Sequence, residues 1–161
     1  MKKISCTKGF SLIELMVVIA IIAILTAIIT SNLAQSKAKA RDSKRISDIA
    51  QLQLALELFF DRCNGYPPDI NLNSTISSCP NDPVTNQPVT FGYFIGKIPV
   101  GPNANENYYY STPGSPYGDY VLHTNLESEN NPALKESAPS SLAAECLPYP
   151  ANGQSYCVSP K

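Results

Sequence analysis

The chain has no proline before Pro67, no glycine between Gly9 and Gly65, one histidine and no tryptophan. The missing breakers leave nothing to stop a helix between Phe10 and Arg62. The shortage of histidine goes with the absence of C-x-x-C knuckles, a glycine-rich phosphate loop or a nucleophile motif, which leaves little for an enzyme to work with. His123 lies in a candidate strand, where packing is its plain reading, and no metal-ligand spacing occurs. A large charge of one sign is also missing, since the net charge of the 161 residues is −1. That balance hides a split. Residues 1–45 hold eight Lys or Arg against two acids, whereas residues 63–161 hold three basic residues (Lys97, Lys135, Lys161) against eight acids. One end is basic and the other acidic.

What is present in the first half is one long helical pattern. Phe10 to Ile29 is a run of Ile, Leu, Val and Ala that would span about 30 Å as a helix, the thickness of a bilayer core. Thr30, Ser31 and Asn32 end the apolar run without breaking the helix. Beyond the basic run "KAKARDSKR", Ile49, Leu52, Leu56 and Phe59 recur at steps of three and four, with Ala55 and Phe60 widening the stripe. Leu54 and Leu58 lie on another face. Two apolar faces predict two burial partners, the chain's own globular part and a neighbouring subunit, with a helix sunk wholly in its own domain as the plainer reading. "CNGYPP" closes the pattern, with Gly65 expected as a left-handed cap and Pro67 unable to continue. An unbroken helix from Phe10 to Arg62 would be about 80 Å long, far beyond the three to four turns usual in a small domain.

The second half carries short candidate strands between turn residues. "PVTFGYFI" (88–95), "NYYYST" (107–112) and "GDYVLHTNLE" (118–127) are rich in Tyr, Val, Phe and Thr and bounded by Pro, Gly and Asn. They predict a small antiparallel sheet of three or four strands, with Tyr108, Tyr109 and Tyr110 read as sheet packing. The tail, residues 130–161, is polar and proline-rich, of a composition that favours disorder but for two cysteines. Cys6 lies ahead of the apolar run. Cys63, Cys79, Cys146 and Cys157 form an even set in a loop-rich region, which suggests an oxidising compartment and two disulfides with three connectivities open. Neighbour pairing, Cys63 with Cys79 and Cys146 with Cys157, closes short loops worth about 3 kcal/mol each. Zinc is the rival for four thiolates.

The start of the chain reads "KGFSLIELMVVIAIIAILTAII" from Lys8 to Ile29. Lys2, Lys3 and Lys8 precede the apolar run as in a secretory signal, but a cleavable signal has a 7–15-residue apolar core and a small-residue site after it. This run is of spanning length and contains Glu14. A carboxylate deep in a membrane helix costs about 2.5–3.5 kcal/mol, so it calls for a partner cation or for snorkelling to the surface.

"KGFSLIEL", a short basic leader ending in glycine, then Phe, three residues, Glu and a long apolar helix, resembles the class III signal of type IV pilins and type II secretion pseudopilins. The resemblance implies an α+β, pilin-like fold: one long N-terminal helix packed on a small antiparallel sheet, with a disulfide-closed C-terminal loop as in many type IV pilins. It implies a leader of residues 1–9 cut after Gly9 by a prepilin peptidase, which also methylates Phe10. It implies that Glu14 pairs with the Phe10 amine of a neighbouring subunit during assembly. Residues 10–29 become the membrane and filament-core half of the helix, 30–62 its amphipathic half and 63–161 an extracytoplasmic head. The expected function is a structural subunit, not an enzyme: a type II secretion pseudopilin or related pilin. A minor tip subunit acting as adhesin or DNA-uptake module is the alternative, and an anchored extracytoplasmic protein that does not polymerise is a weaker one.

"KIPVGPNANENYYYSTPGSPYGDYVL" resembles the loop-and-strand region of major pseudopilins, with two departures. Where those proteins continue into a Gly- and Asp-rich calcium loop this chain has "HTNLESENNPAL", which argues against calcium at Asp119, Glu127 or Glu129, and no cofactor is expected. Where the family often has proline after the membrane segment this chain has Thr30 and Ser31. The five basic residues of "KAKARDSKR" outnumber the leader's three lysines, and a positive-inside count alone would put them in the cytoplasm. The cysteines and the leader place the carboxyl half outside instead. The basic run then reads as a solvated helix face, with Asp42 and Asp48 expected to join pairs with adjacent subunits, and not as a nucleic-acid site, since it lacks interleaved aromatics. Implied partners are the peptidase, related subunits, inner-membrane lipid, a polytopic platform protein and, indirectly, a cytoplasmic ATPase. The implied location is the bacterial inner membrane as a single-pass protein, and then the filament.

Overall fold

The computed structural model describes residues 9–113, 117–135, 146 and 154–160, without the side chains of residues 28 and 30–32. Residues 1–8 of the expected 1–9 leader therefore lie outside the described residues. Helix α1 runs from Leu12–Cys63. By its contacts the chain divides into two units, Met1–Lys37 and Ala38–Lys161, so α1 contributes to both.

Among the described residues of the first unit the apolar side chains are exposed. Phe10 is 88% exposed, and Ile13, Met16, Ile21, Ile24 and Ile29 are exposed as well. Among the described residues no helix is long and apolar enough to cross a membrane.

In the second unit the expected stripe is the core. Ile49, Leu52, Ala55, Leu56, Phe59 and Cys63 are buried at helical spacing and meet Tyr66, Val89, Phe91, Tyr108, Tyr120, Leu122 and Val158. Leu54 (63% exposed) and Leu58 (46%) face away from it, as a second apolar face. The helix stops one residue earlier than the glycine signal suggests. Asn64 takes the left-handed conformation (φ 55°), and its N–H donates to the Phe60 carbonyl at 2.7 Å. Asparagine tolerates this conformation better than most residues, so it serves as the cap. Gly65 does not take the cap, and its contact is one of packing: a Cβ there would lie 2.9 Å from Ile76 Cδ1.

The sheet has three strands in the order β1-β2-β3, with β1 Tyr109–Ser111, β2 Val121–Asn125 and β3 Ser155–Val158, all antiparallel. Tyr110, Leu122 and Val158 stand in register across it and pack on the core. Tyr109, His123 and Cys157 occupy the alternate positions, with the Tyr109 ring stacked on His123 at 4.8 Å. Two expectations are corrected here. The segment 88–95 is no strand but a 3-10 turn, Phe91–Tyr93. Its N–H groups donate to the loop before it, Phe91 to Ser74 and Gly92 to Leu72, and then back on itself. A Cβ on Gly92 would lie 2.6 Å from the Leu72 carbonyl oxygen, so the close approach of two backbones requires glycine. The third strand comes instead from the tail, where "SYCV" pairs with β2.

Cys63 bonds to Cys79, and Cys146 to Cys157. The first ties the end of α1 to the loop behind it, and the second ties the tail to β3.

Candidate functional site

The first element with functional geometry is the start of α1. Ser11 precedes the helix and Glu14 lies in its first turn, the S-x-x-E spacing of a capping box. Glu14 Oε2 accepts the Ser11 backbone N–H at 2.8 Å. A carboxylate here also faces the positive end of the helix dipole. Glu14 is therefore engaged within its own chain, a role that its reading as an intruding charge missed although the spacing carries the signal.

The second element lies in the head unit and was not foreseen. Arg45, on α1, has only 3% of its side chain exposed and meets carboxylates from three chain segments. Its Nη1 donates to Asp42 Oδ1 at 2.8 Å, its Nη2 to Glu106 Oε2 at 3.0 Å, and Nη2 also lies 2.9 Å from Glu127 Oε1. Arg45 Nε reaches Glu106 Oε1 as well. Arg41, one turn earlier, donates its Nε to Glu127 Oε1 at 2.8 Å and pairs its Nη2 with Oε2. Asp42 is wholly buried and accepts the backbone N–H groups of Glu127 (2.8 Å) and Ser128 (2.9 Å). Lys44 pairs with Asp48 at 2.7 Å and donates to the Val100 carbonyl, while the Tyr108 hydroxyl donates to Asp48.

The basic run is thus a solvated face only in part: Lys37 and Lys39 are exposed, whereas Arg41, Lys44 and Arg45 pair within the head. Its arginines, Lys44 and both aspartates are consumed by the head itself. Two of these pairs follow helical spacing, Asp42 to Arg45 at i,i+3 and Lys44 to Asp48 at i,i+4, and were open to reading. Glu106 and Glu127 come from distant loops, which no local pattern indicates.

The electrostatics follow from this geometry. Burial disfavours the charged form of Arg45, but hydrogen bonds to Glu106, Glu127 and Asp42 outweigh it and raise the pKa. The Arg41 hydrogen bond, helped by Arg45, holds Glu127 down at about 2. Arg45 likewise lowers Glu106. Arg41, Arg45, Glu106, Tyr109 and Glu127 help to line an open cleft of about 470 Å³.

The remaining candidates fall elsewhere. Asp119 Oδ1 accepts the N–H of Tyr120, and Glu129 is exposed. His123 is half-buried against Tyr109, and burial lowers its pKa. The Tyr108 and Tyr110 hydroxyls bond to Asp48 and to the Pro67 carbonyl, so these rings are packing groups. The calcium implied by the resemblance does not fit the donors present. Both oxygens of Glu127 and both of Asp42 already accept hydrogen bonds from cationic or backbone donors, and a hard cation requires six to eight oxygens. Among the described residues no group of three His, Cys, Asp or Glu could hold a metal ion.

A long N-terminal helix opening on an acid-bearing apolar segment, followed by a small antiparallel head, defines the pilin-like class of filament subunits. Residues 4–30 match the family model described as the prokaryotic N-terminal methylation motif. The chain is 33% identical over 117 residues to the type II secretion system core protein G of Vibrio cholerae serotype O1, covering 71% of this chain and 77% of that one. It is 34% identical over 119 residues to the core protein G of Escherichia coli K12, covering 71% and 78%. A third relative of that name, from Aeromonas hydrophila, is 33% identical over 97 residues, covering 60% and 68%. The chain belongs to the type II secretion system core protein G family, and it is a pseudopilin. No solved structure matches it.

Proposed function

We propose that the chain is made as a precursor whose residues 1–9 are a leader, cut after Gly9 by a prepilin peptidase that also methylates Phe10. The observation that carries this reading is the start of α1, an exposed apolar helix with a single acid, Glu14, in its first turn, four residues after Phe10. Gly9 is compatible with it: among the described residues a Cβ there would meet no atom within 4 Å, so packing does not call for glycine.

Cleavage leaves a cationic amine on Phe10, and Glu14 of a neighbouring subunit is its partner. Ser11 engages one oxygen of Glu14, and the carboxylate has a second to offer. A charge that is costly in an isolated membrane helix becomes compensated in the assembly, which favours polymerisation. Residues 10–29 serve first as a single-pass anchor in the inner membrane and then as the filament core. Residues 30–62 continue the helix, and 63–161 form the extracytoplasmic head. The chain acts as a structural subunit and not as a catalyst, together with related pseudopilins, membrane lipid, a platform protein and, through it, a cytoplasmic ATPase. Three of the run's five basic residues, Arg41, Lys44 and Arg45, pair with carboxylates, which argues against nucleic acid as a partner.

Mass spectrometry of sheared filaments tests this reading, with a methylated Phe10 as the expected amino terminus. Glu14→Val is expected to be processed normally and to yield no filaments. An intact Met1 in cells with active peptidase would overturn the proposal.

A further inference from the structure

In the Arg45 cage a guanidinium stands at the meeting point of three carboxylates. Carboxylates from α1 (Asp42), the 101–107 loop (Glu106) and the segment after β2 (Glu127) converge on one buried cationic group. That group contacts four of their oxygens: Asp42 Oδ1, both oxygens of Glu106, and Glu127 Oε1. Bringing three like charges together requires a cation among them. A guanidinium is planar, always charged and suited to two-pronged pairing with carboxylates, so it bridges separate segments as a multivalent ion would. The charge count is also that of an ion. Arg41 and Arg45 bring two positive charges to three carboxylates, which is the balance a divalent cation would give.

We infer that Arg45, backed by Arg41, takes the place of a structural divalent cation in this head, fastening the 101–107 loop and the segment after β2 to α1 so that the fold is independent of calcium. The backbone supports the assignment. Arg45 holds Asp42 in place, and Asp42 in turn receives the N–H groups of Glu127 and Ser128. The chain after β2 is therefore anchored through main-chain hydrogen bonds, which depend on a charge being present to compensate the buried aspartate. The inference rests on the cage alone and stands or falls separately from leader cleavage and filament assembly.

The test uses the full chain in detergent micelles, with calcium chloride or the chelator EGTA. Thermal unfolding of the wild type is expected at the same temperature in both. The Glu127 and Ser128 amides are expected to stay equally protected from hydrogen exchange in both. In Arg45→Gln those two amides should exchange about tenfold faster or more, with Arg45→Lys intermediate because it keeps the charge but not the fork. A calcium-dependent rise in the wild-type Tm of about 5 °C or more, as a saturating structural ion would produce, would overturn the inference. Loss of the two amides' protection in EGTA would overturn it equally, as would unchanged exchange in Arg45→Gln. If Arg45→Gln fails to fold, the wild-type comparison tests independence from calcium and Arg45→Lys tests the fork, with exchange at the wild-type rate in Arg45→Lys overturning the inference.

Discussion

Replacing Asp42 by asparagine tests the charged cluster at its most buried point. The carboxylate has no exposed surface and accepts three hydrogen bonds, from Arg45 Nη1 and from the backbone N–H groups of Glu127 and Ser128, at 2.8–2.9 Å. Asparagine is nearly isosteric but has one acceptor oxygen, and its NH₂ must then face a donor. At least one of the three donors loses its partner, at about 1.5–3 kcal/mol for a bond to a charged group. Arg45 also loses a counter-charge, and removing one member of a buried pair costs about 3–5 kcal/mol. Because Arg45 keeps Glu106 and Glu127, the lower end applies, and since the two figures overlap in the same lost interaction the expected cost is about 3 kcal/mol. For a unit of this size that lowers Tm by about 10 °C. Urea denaturation should show a lower midpoint at unchanged slope. A double-mutant cycle with Arg45→Met should show that the two losses do not add. A loss below about 1 kcal/mol, the value of an exposed surface pair, would refute the claim that this cluster fastens the head.

Four further outcomes follow from the same geometry. Acid should destabilise the head in two steps. His123 has a folded pKa below its ordinary 6.5, so stability is lost as pH falls below that value, and Glu127, held at about 2 against 4.5, loses its contribution between pH 4.5 and 2; a pH series of urea midpoints reads both. Phe59→Ala should cost about 3–5 kcal/mol by opening a cavity beside Phe91 and Phe94, whose rings lie 6.2 and 5.8 Å from that of Phe59. Gly92→Ala should cost about 1–3 kcal/mol, measured by thermal unfolding, because its Cβ meets the fixed Leu72 carbonyl rather than a side chain that can turn away. Replacing Cys63 and Cys79 together by serine should cost about 3 kcal/mol, the entropy of the 16-residue closure, while unfolding stays cooperative.

Much of the architecture was open to reading because it rests on local regularities. The helix was legible from its missing prolines and glycines, and its buried stripe from the spacing of Ile49, Leu52, Leu56 and Phe59. Two strands were legible from their Tyr, Val and Thr content. The third was misplaced because "TFGYFI" and "SYCV" differ locally in the wrong direction. The first is longer and more apolar, yet its N–H groups find carbonyls in the 72–74 loop, while the second gains its ladder only by meeting β2. The cap was misassigned by one residue for a related reason. Gly65 is the stronger propensity signal, but Ile76, distant in sequence, gives that glycine a packing role and leaves the left-handed position to Asn64.

The resemblance to the pilin-like class rests on a contiguous pattern, the glycine, phenylalanine and glutamate at fixed offsets before a long apolar helix, and is legible without folding. The roles of the charges on the second half of that helix follow from the fold. Asp42 and Arg45 are helical neighbours on any reading, but whether they meet water, another subunit or Glu106 and Glu127 depends on where two loops return to the helix. Burial makes that choice consequential, because a charge removed from water must find its compensation within the fold.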